Sequence, residues 1–187
     1  MPNVKDIKRT MKASDIPKEV IAEFDFPKPS PGSYPEDVMN VVGQMDKLLT
    51  KEQSMAIMEQ QGCCKDSTAE EHRVFGALHQ GKTLKEKVAS LNESSVRHKG
   101  ICKLNDDGTL TICFKIERCV CRVVGLYEKG RGQKESIPLT FCGCCAGHLR
   151  YTHKFSLGVD LRLKDIVSSA AHSCGKEHCE FIFHIER

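Results

Sequence analysis

The residues best able to do chemistry in this 187-residue chain are its eleven cysteines, all of which lie beyond residue 62. Two C-x-C units stand out, Cys119-Val-Cys121 and Cys142-Gly-Cys144, the second continued by Cys145. On a β-strand, residues i and i+2 share a face, so each unit would offer two sulfurs to one side of a sheet, and neighbouring strands would bring four together. Thiolates are soft ligands that suit zinc, an iron–sulfur cluster or copper(I), and a closed four-sulfur set makes a structural site rather than a catalytic one. The metal expectation therefore falls on Cys119, Cys121, Cys142 and Cys144, with zinc ahead of an iron–sulfur cluster. Reduced cysteines packed as small hydrophobes are the plain alternative.

His148 follows Cys144 and Cys145 closely. A thiol beside an imidazole is either an activated nucleophile, which would make Cys144 or Cys145 with His148 a thiol-dependent hydrolase or lyase, or part of a mixed Cys/His metal site. A polar residue on a helix is the simpler account of His148. Cys63 and Cys64 form a vicinal pair after a predicted helix end, open to soft-metal or redox chemistry or to ordinary packing. Cys174 and Cys179 bracket a predicted turn, where they either ligate with His172 or His178 or simply pack.

An odd cysteine count and two adjacent pairs speak for free thiols or metal ligands over a fixed set of disulfides. The first twenty residues offer no apolar run of the signal-peptide kind, and no stretch approaches the roughly 20 apolar residues of a spanning helix, so a cytoplasmic protein without a membrane segment is expected. The net charge of +3, the absence of Trp and an aromatic content of 6% leave neither the basic patch nor the stacking platforms of a nucleic-acid binder.

The elements that must position these side chains follow from periodicity. Residues 1–33, charged and broken by Pro17, Pro27, Pro29 and Pro31, predict an N-terminal arm with a short helix over Lys18 to Phe24 and a Pro-rich linker. Residues 34–187 then form a single α+β ligand-binding-like domain. Its first helix opens at Pro35-Glu36-Asp37 and buries Val38, Val41, Val42 and Met45 along one stripe. Thr50 with Gln53, and Ser67 with Glu70, have the form of capping boxes for two more helices, and Leu84, Val88 and Leu91 mark a fourth. Beyond Gly100 the pattern turns to strands: a hairpin about Asp106-Asp107-Gly108, strands over Cys119 to Leu126 and Ile137 to Phe141, an inserted helix from Gly147 to Leu157, an alternating strand from Val159 to Val167, and a closing strand from Cys179 to Ile185. The expected architecture is an N-terminal helical layer packed on a mainly antiparallel sheet with one inserted helix.

The C-terminal third, with Phe141-Cys-Gly-Cys144, Ala146-Gly-His148, a helix, Leu157-Gly158, an alternating strand, Gly175 and Cys179-Glu-Phe-Ile-Phe, resembles the corresponding part of the 4-vinyl reductase-type small-ligand-binding domains and their relatives labelled L-2-amino-thiazoline-4-carboxylic acid hydrolase-like, known from bacteria and archaea. Upstream, Met58-Glu-Gln-Gln-Gly62-Cys-Cys64 is similar to their Met-Glu-x-Cys-Gly helix end, with Gln61 where a cysteine is usual; at the chain's end Glu180 replaces a common basic residue. The resemblance implies helices covering one face of an antiparallel sheet and a pocket for a small hydrophobic or thiol-bearing molecule, and it does not imply catalysis. The resulting expectation is a binding or sensing module for a small molecule or a soft metal ion, with Cys145, His148 and Cys64 next in line as site residues and a homodimer through a sheet edge as a reasonable assembly.

Overall fold

In the computed structural model, which describes residues 2–28, 34–62, 65–133 and 135–186, the helical half of the chain follows its caps and apolar stripes. Asn3 caps α1 (Val4–Ala13) by accepting from the Asp6 N–H, and a five-residue α2 (Lys18–Ala22) follows. The stripe of Val38, Val41, Val42 and Met45 is buried along α3 (Tyr34–Leu48). Thr50 and Gln53 close a full capping box at the start of α4 (Lys51–Glu59), and Thr83 with Glu86 does the same for α6 (Leu84–Glu93). Between them, α5 (Lys65–Leu78) begins at Lys65, two residues before the expected cap at Ser67.

The sheet is antiparallel throughout, with strand order β1-β2-β4-β3. A hairpin joins β1 (Ile101–Leu104) to β2 (Thr109–Phe114), β2 pairs with β4 (Cys179–Glu186), and β4 pairs with β3 (Asp160–Ser168). Two register shifts interrupt the β3–β4 ladder, at Leu163/Asp165 and Ile166/Ser168. Cys179, Phe181 and Phe183 alternate into the helix-facing side of β4. This is the expected α+β class, helices first and the antiparallel sheet at the C-terminal end.

Three local expectations change. The strand expected over Cys119 to Leu126 is a loop followed by a helix, α7 (Arg122–Arg131), because Val123, Val124 and Tyr127 are spaced for one buried helical stripe and Gly132 closes the helix in the left-handed conformation. Ile137 to Phe141 is likewise no strand: Pro138 has no N–H for a ladder, and the chain turns into a 3₁₀ segment, Leu139–Cys142, that runs straight into α8 (Gly143–Leu157). The N-terminal residues do not form a loose arm, since Ile7 and Met11 are fully buried against α3 and α4. The expected linker residues Pro29 and Pro31, and the boundary at residue 33, lie outside the described residues.

The central element is α8. One apolar cluster lies among α1, α3, α4 and α7 and includes Met45, Met58, Phe141 and Cys144; the other lies between α8 and the sheet and includes Leu149, Leu157, Phe181 and Phe183. Glycine lets its neighbours approach at backbone distance: a Cβ on Gly147 of α8 would fall 1.9 Å from the Glu59 carbonyl oxygen of α4, and one on Gly76 of α5 would fall 2.1 Å from the Phe155 carbonyl oxygen. Among the described residues no helix is long and apolar enough to cross a membrane.

Candidate functional site

The 3₁₀ segment brings Cys142 to the seam where α8, the loop before α7 and the start of β4 meet. Cys119, Cys121 and Cys179 lie near enough that their charges would each oppose ionisation of Cys142. Three of the sulfurs accept hydrogen bonds. The Ala170 N–H donates to Cys179 Sγ at 3.3 Å, and the Cys121 N–H donates to Cys119 Sγ at 3.4 Å. Cys142 Sγ lies 3.0 Å from Ser169 Oγ. Ser169 Oγ already accepts from the Ala171 and His172 N–H groups, which leaves its own hydrogen to donate to the Cys142 sulfur.

Burial dominates the electrostatics of the junction. It pushes the thiols of Cys142 and Cys119 up to about 12, against smaller lowering effects from Ser169 and from the Cys121 N–H. These thiols are therefore protonated near neutrality and are poor nucleophiles. Cys142 and Cys179 are buried, whereas Cys119 and Cys121 are half-exposed and flank Val120, which is largely open to solvent. Soft ligands are reachable from one side of the junction.

Of the four cysteines expected at a metal site, Cys119, Cys121 and Cys142 lie within electrostatic reach of one another, but not as two pairs on one sheet face, since none of them lies on a strand. Cys144 turns elsewhere. Residues i and i+2 on a helical path point to different sides, and the buried Cys144 donates its S–H to the Gln61 carbonyl oxygen at 3.3 Å. Cys179, rather than Cys144, is the further sulfur within electrostatic reach of Cys142; the signal was the alternation that puts Cys179 on the same face as Phe181 and Phe183, toward the helices. Among the described residues no three His, Cys, Asp or Glu side chains are already placed to hold one ion.

Cys145 is half-buried, and His148, on the next turn of α8, is largely buried with its ring edge-on to His98 at 6.0 Å. Cys63 and Cys64 lie outside the described residues. Cys174 sits in the turn before β4 with a positive φ of 55°. His172 binds the Ile137 carbonyl oxygen and His178 the Ile116 carbonyl oxygen, so both imidazoles tie the backbone down.

A second cluster escaped the spacing of the sequence altogether. His72 of α5 and His153 of α8 are fully buried with their rings 5.1 Å apart. Their Nε2 atoms reach the Arg97 and Lys99 carbonyl oxygens, at 3.2 and 2.8 Å, and so clamp the loop between α6 and β1 from below. Burial depresses both imidazoles, His153 to about 4. Neutral rings that donate to carbonyls are structural ties. Comparison with family models, with curated proteins and with solved structures gives no match for the chain.

Proposed function

We propose that this protein is a cytoplasmic binding or sensing module whose functional centre is the thiol junction of Cys119, Cys121, Cys142 and Cys179, and that the junction takes a soft metal ion, zinc first. The observation that carries this reading is the hydrogen bonding: sulfurs from three separate segments are held as acceptors, the role that a metal-bound thiolate fills. The donor set is sulfur alone, which favours zinc or copper(I) over hard cations. The half-exposed Cys119 and Cys121 supply the way in. When bound, the ion would replace the thiol protons, so uptake should release protons and weaken steeply on acidification. The C-terminal resemblance to small-ligand-binding domains supports the same class of role.

The test is native mass spectrometry and elemental analysis of protein purified anaerobically in the presence of zinc. One zinc per chain is expected, lost in Cys142→Ser and Cys179→Ser and retained in Cys144→Ser. Metal-free protein whose thiols at 119, 121, 142 and 179 alkylate at the same rates before and after zinc addition would overturn the reading. Retention of zinc by Cys179→Ser together with its loss in Cys144→Ser would move the site back to the four cysteines expected from the C-x-C units.

A further inference from the structure

A cleft of about 730 Å³ opens between α4, α8 and β3, far from the thiol junction in its chemistry. That volume is in the range of small-molecule sites. Its construction begins at Gly147, whose missing side chain lets the last turn of α4 press on α8. This contact sets Glu59 into the cleft wall, with its side chain only 13% exposed and its carboxylate 3.1 Å from the Arg150 guanidinium. Met55, Leu163 and Ile166 supply apolar lining.

The charges around Glu59 come from all three elements. Lys51 and Glu52 stand on its own helix, Arg150 and Lys154 on α8, and Asp160, Arg162, Lys164 and Asp165 on β3, with the Tyr151 phenol between them. Lys51 pairs with Asp165 and Lys154 with Asp160, so those four cancel within the cleft. Arg162 and Lys164 instead find their partners, Glu186 and Asp107, outside the cleft lining. Glu52 stands outside these pairs, so the lining as a whole carries one positive charge in excess, from Arg162 and Lys164, whose counter-charges lie beyond the wall and which stand next to an Arg150–Glu59 pair. Glu59 is poorly hydrated, and burial raises its pKa against the opposing pull of Arg150 and Arg162.

An anion drawn to Arg162 competes with Glu59 for Arg150. Two carboxylates cannot share one guanidinium in a part-buried wall without repulsion, and the cheaper outcome is protonation of the less hydrated one. A protonated Glu59 then has an O–H to donate to the incoming anion. We propose that this cleft binds a small organic monocarboxylate, its carboxylate held by Arg150 and Arg162 and its apolar body on Met55, Leu163 and Ile166, with Glu59 taking up one proton from solvent as the anion enters.

The probe is 3-phenylpropionate, compared with 3-phenylpropan-1-ol and 3-phenylpropylamine, by calorimetric titration in buffers of different ionisation enthalpy. Saturable one-to-one binding is expected for the acid alone, with proton uptake and an affinity that falls as the pH rises, by up to about tenfold per pH unit over the range in which Glu59 is ionised in the free protein and protonated in the complex. Glu59→Gln, a neutral mimic of the protonated acid, should bind at least as tightly and lose the pH slope. Arg150→Met should weaken binding by about tenfold or more, the scale of one charge-assisted contact. The proposal is overturned by absence of saturable binding, by equal binding of the alcohol or the amine, or by a pH slope that survives in Glu59→Gln.

Discussion

A sulfur that accepts a hydrogen bond and a sulfur that gives one are different ligands, and Cys142 and Cys144 divide along that line although a single glycine separates them. The C-x-C spacing marks these residues as chemically active but leaves their directions open, because the same three letters point one way on a strand and another on a helix. The buried histidines were still less legible: His72 and His153 are 81 positions apart and meet only when α5 packs on α8. Their state has a measurable consequence. His153 titrates near 6.5 when unfolded and at about 4 when folded, because burial penalises the charged ring. Between those values the unfolded chain holds the extra proton, so the stability tied to the neutral ring is complete above about pH 6.5 and is lost as the pH falls toward 4. Urea midpoints of the parent should fall across that window, and His153→Gln should show a lower midpoint near neutrality with a flatter slope below it. Equal slopes would remove His153 from the account.

At the scale of elements, the capping box at Thr50 and the apolar stripe of α3 are plain in the sequence because each is a local pattern with a local cause. The segment 119–126 is not plain. Its β-branched Val120, Val123 and Val124 favour a strand on propensity, and the helix wins because α7 can bury Val123, Val124 and Tyr127 together against the first apolar cluster. The close passage of α4 over α8 is equally invisible in sequence, since a glycine in a helix reads only as a weak spot. Two alanine substitutions separate the cases. Gly147→Ala would drive a methyl into the Glu59 backbone and should cost about 3 kcal/mol or more, the upper end of overpacking penalties. Gly43→Ala, on α3 with open space around it, should stabilise by about 0.5–1 kcal/mol through helix propensity. Equilibrium denaturation of both variants measures the signs, and two like signs would contradict the packing described.

The whole molecule depends on its first helix more than the charged, proline-broken N-terminus suggests. Three of the ten residues of α1 are buried, including Ile7 and Met11, and the Tyr34 hydroxyl donates to the Pro2 carbonyl oxygen, which ties the start of the chain to α3. Ile7→Ala should therefore lose about 2–5 kcal/mol, as a fully buried aliphatic side chain does, and a denaturant midpoint within error of the parent would show α1 to be dispensable. The interrupted ladder of β3 has a consequence of another kind. This strand is one of the sheet's two outer margins, the other being β1, and a margin invites a second chain to add itself by backbone pairing. Here the register of the margin strand shifts twice within six residues, and the strand carries Asp160, Arg162, Lys164 and Asp165 around its leucines. A newcomer would find no straight row of amides to copy, and would have to strip water from four charges to reach it. The irregular, charged β3 margin thus works as a guard against fibrous growth along that side of the sheet.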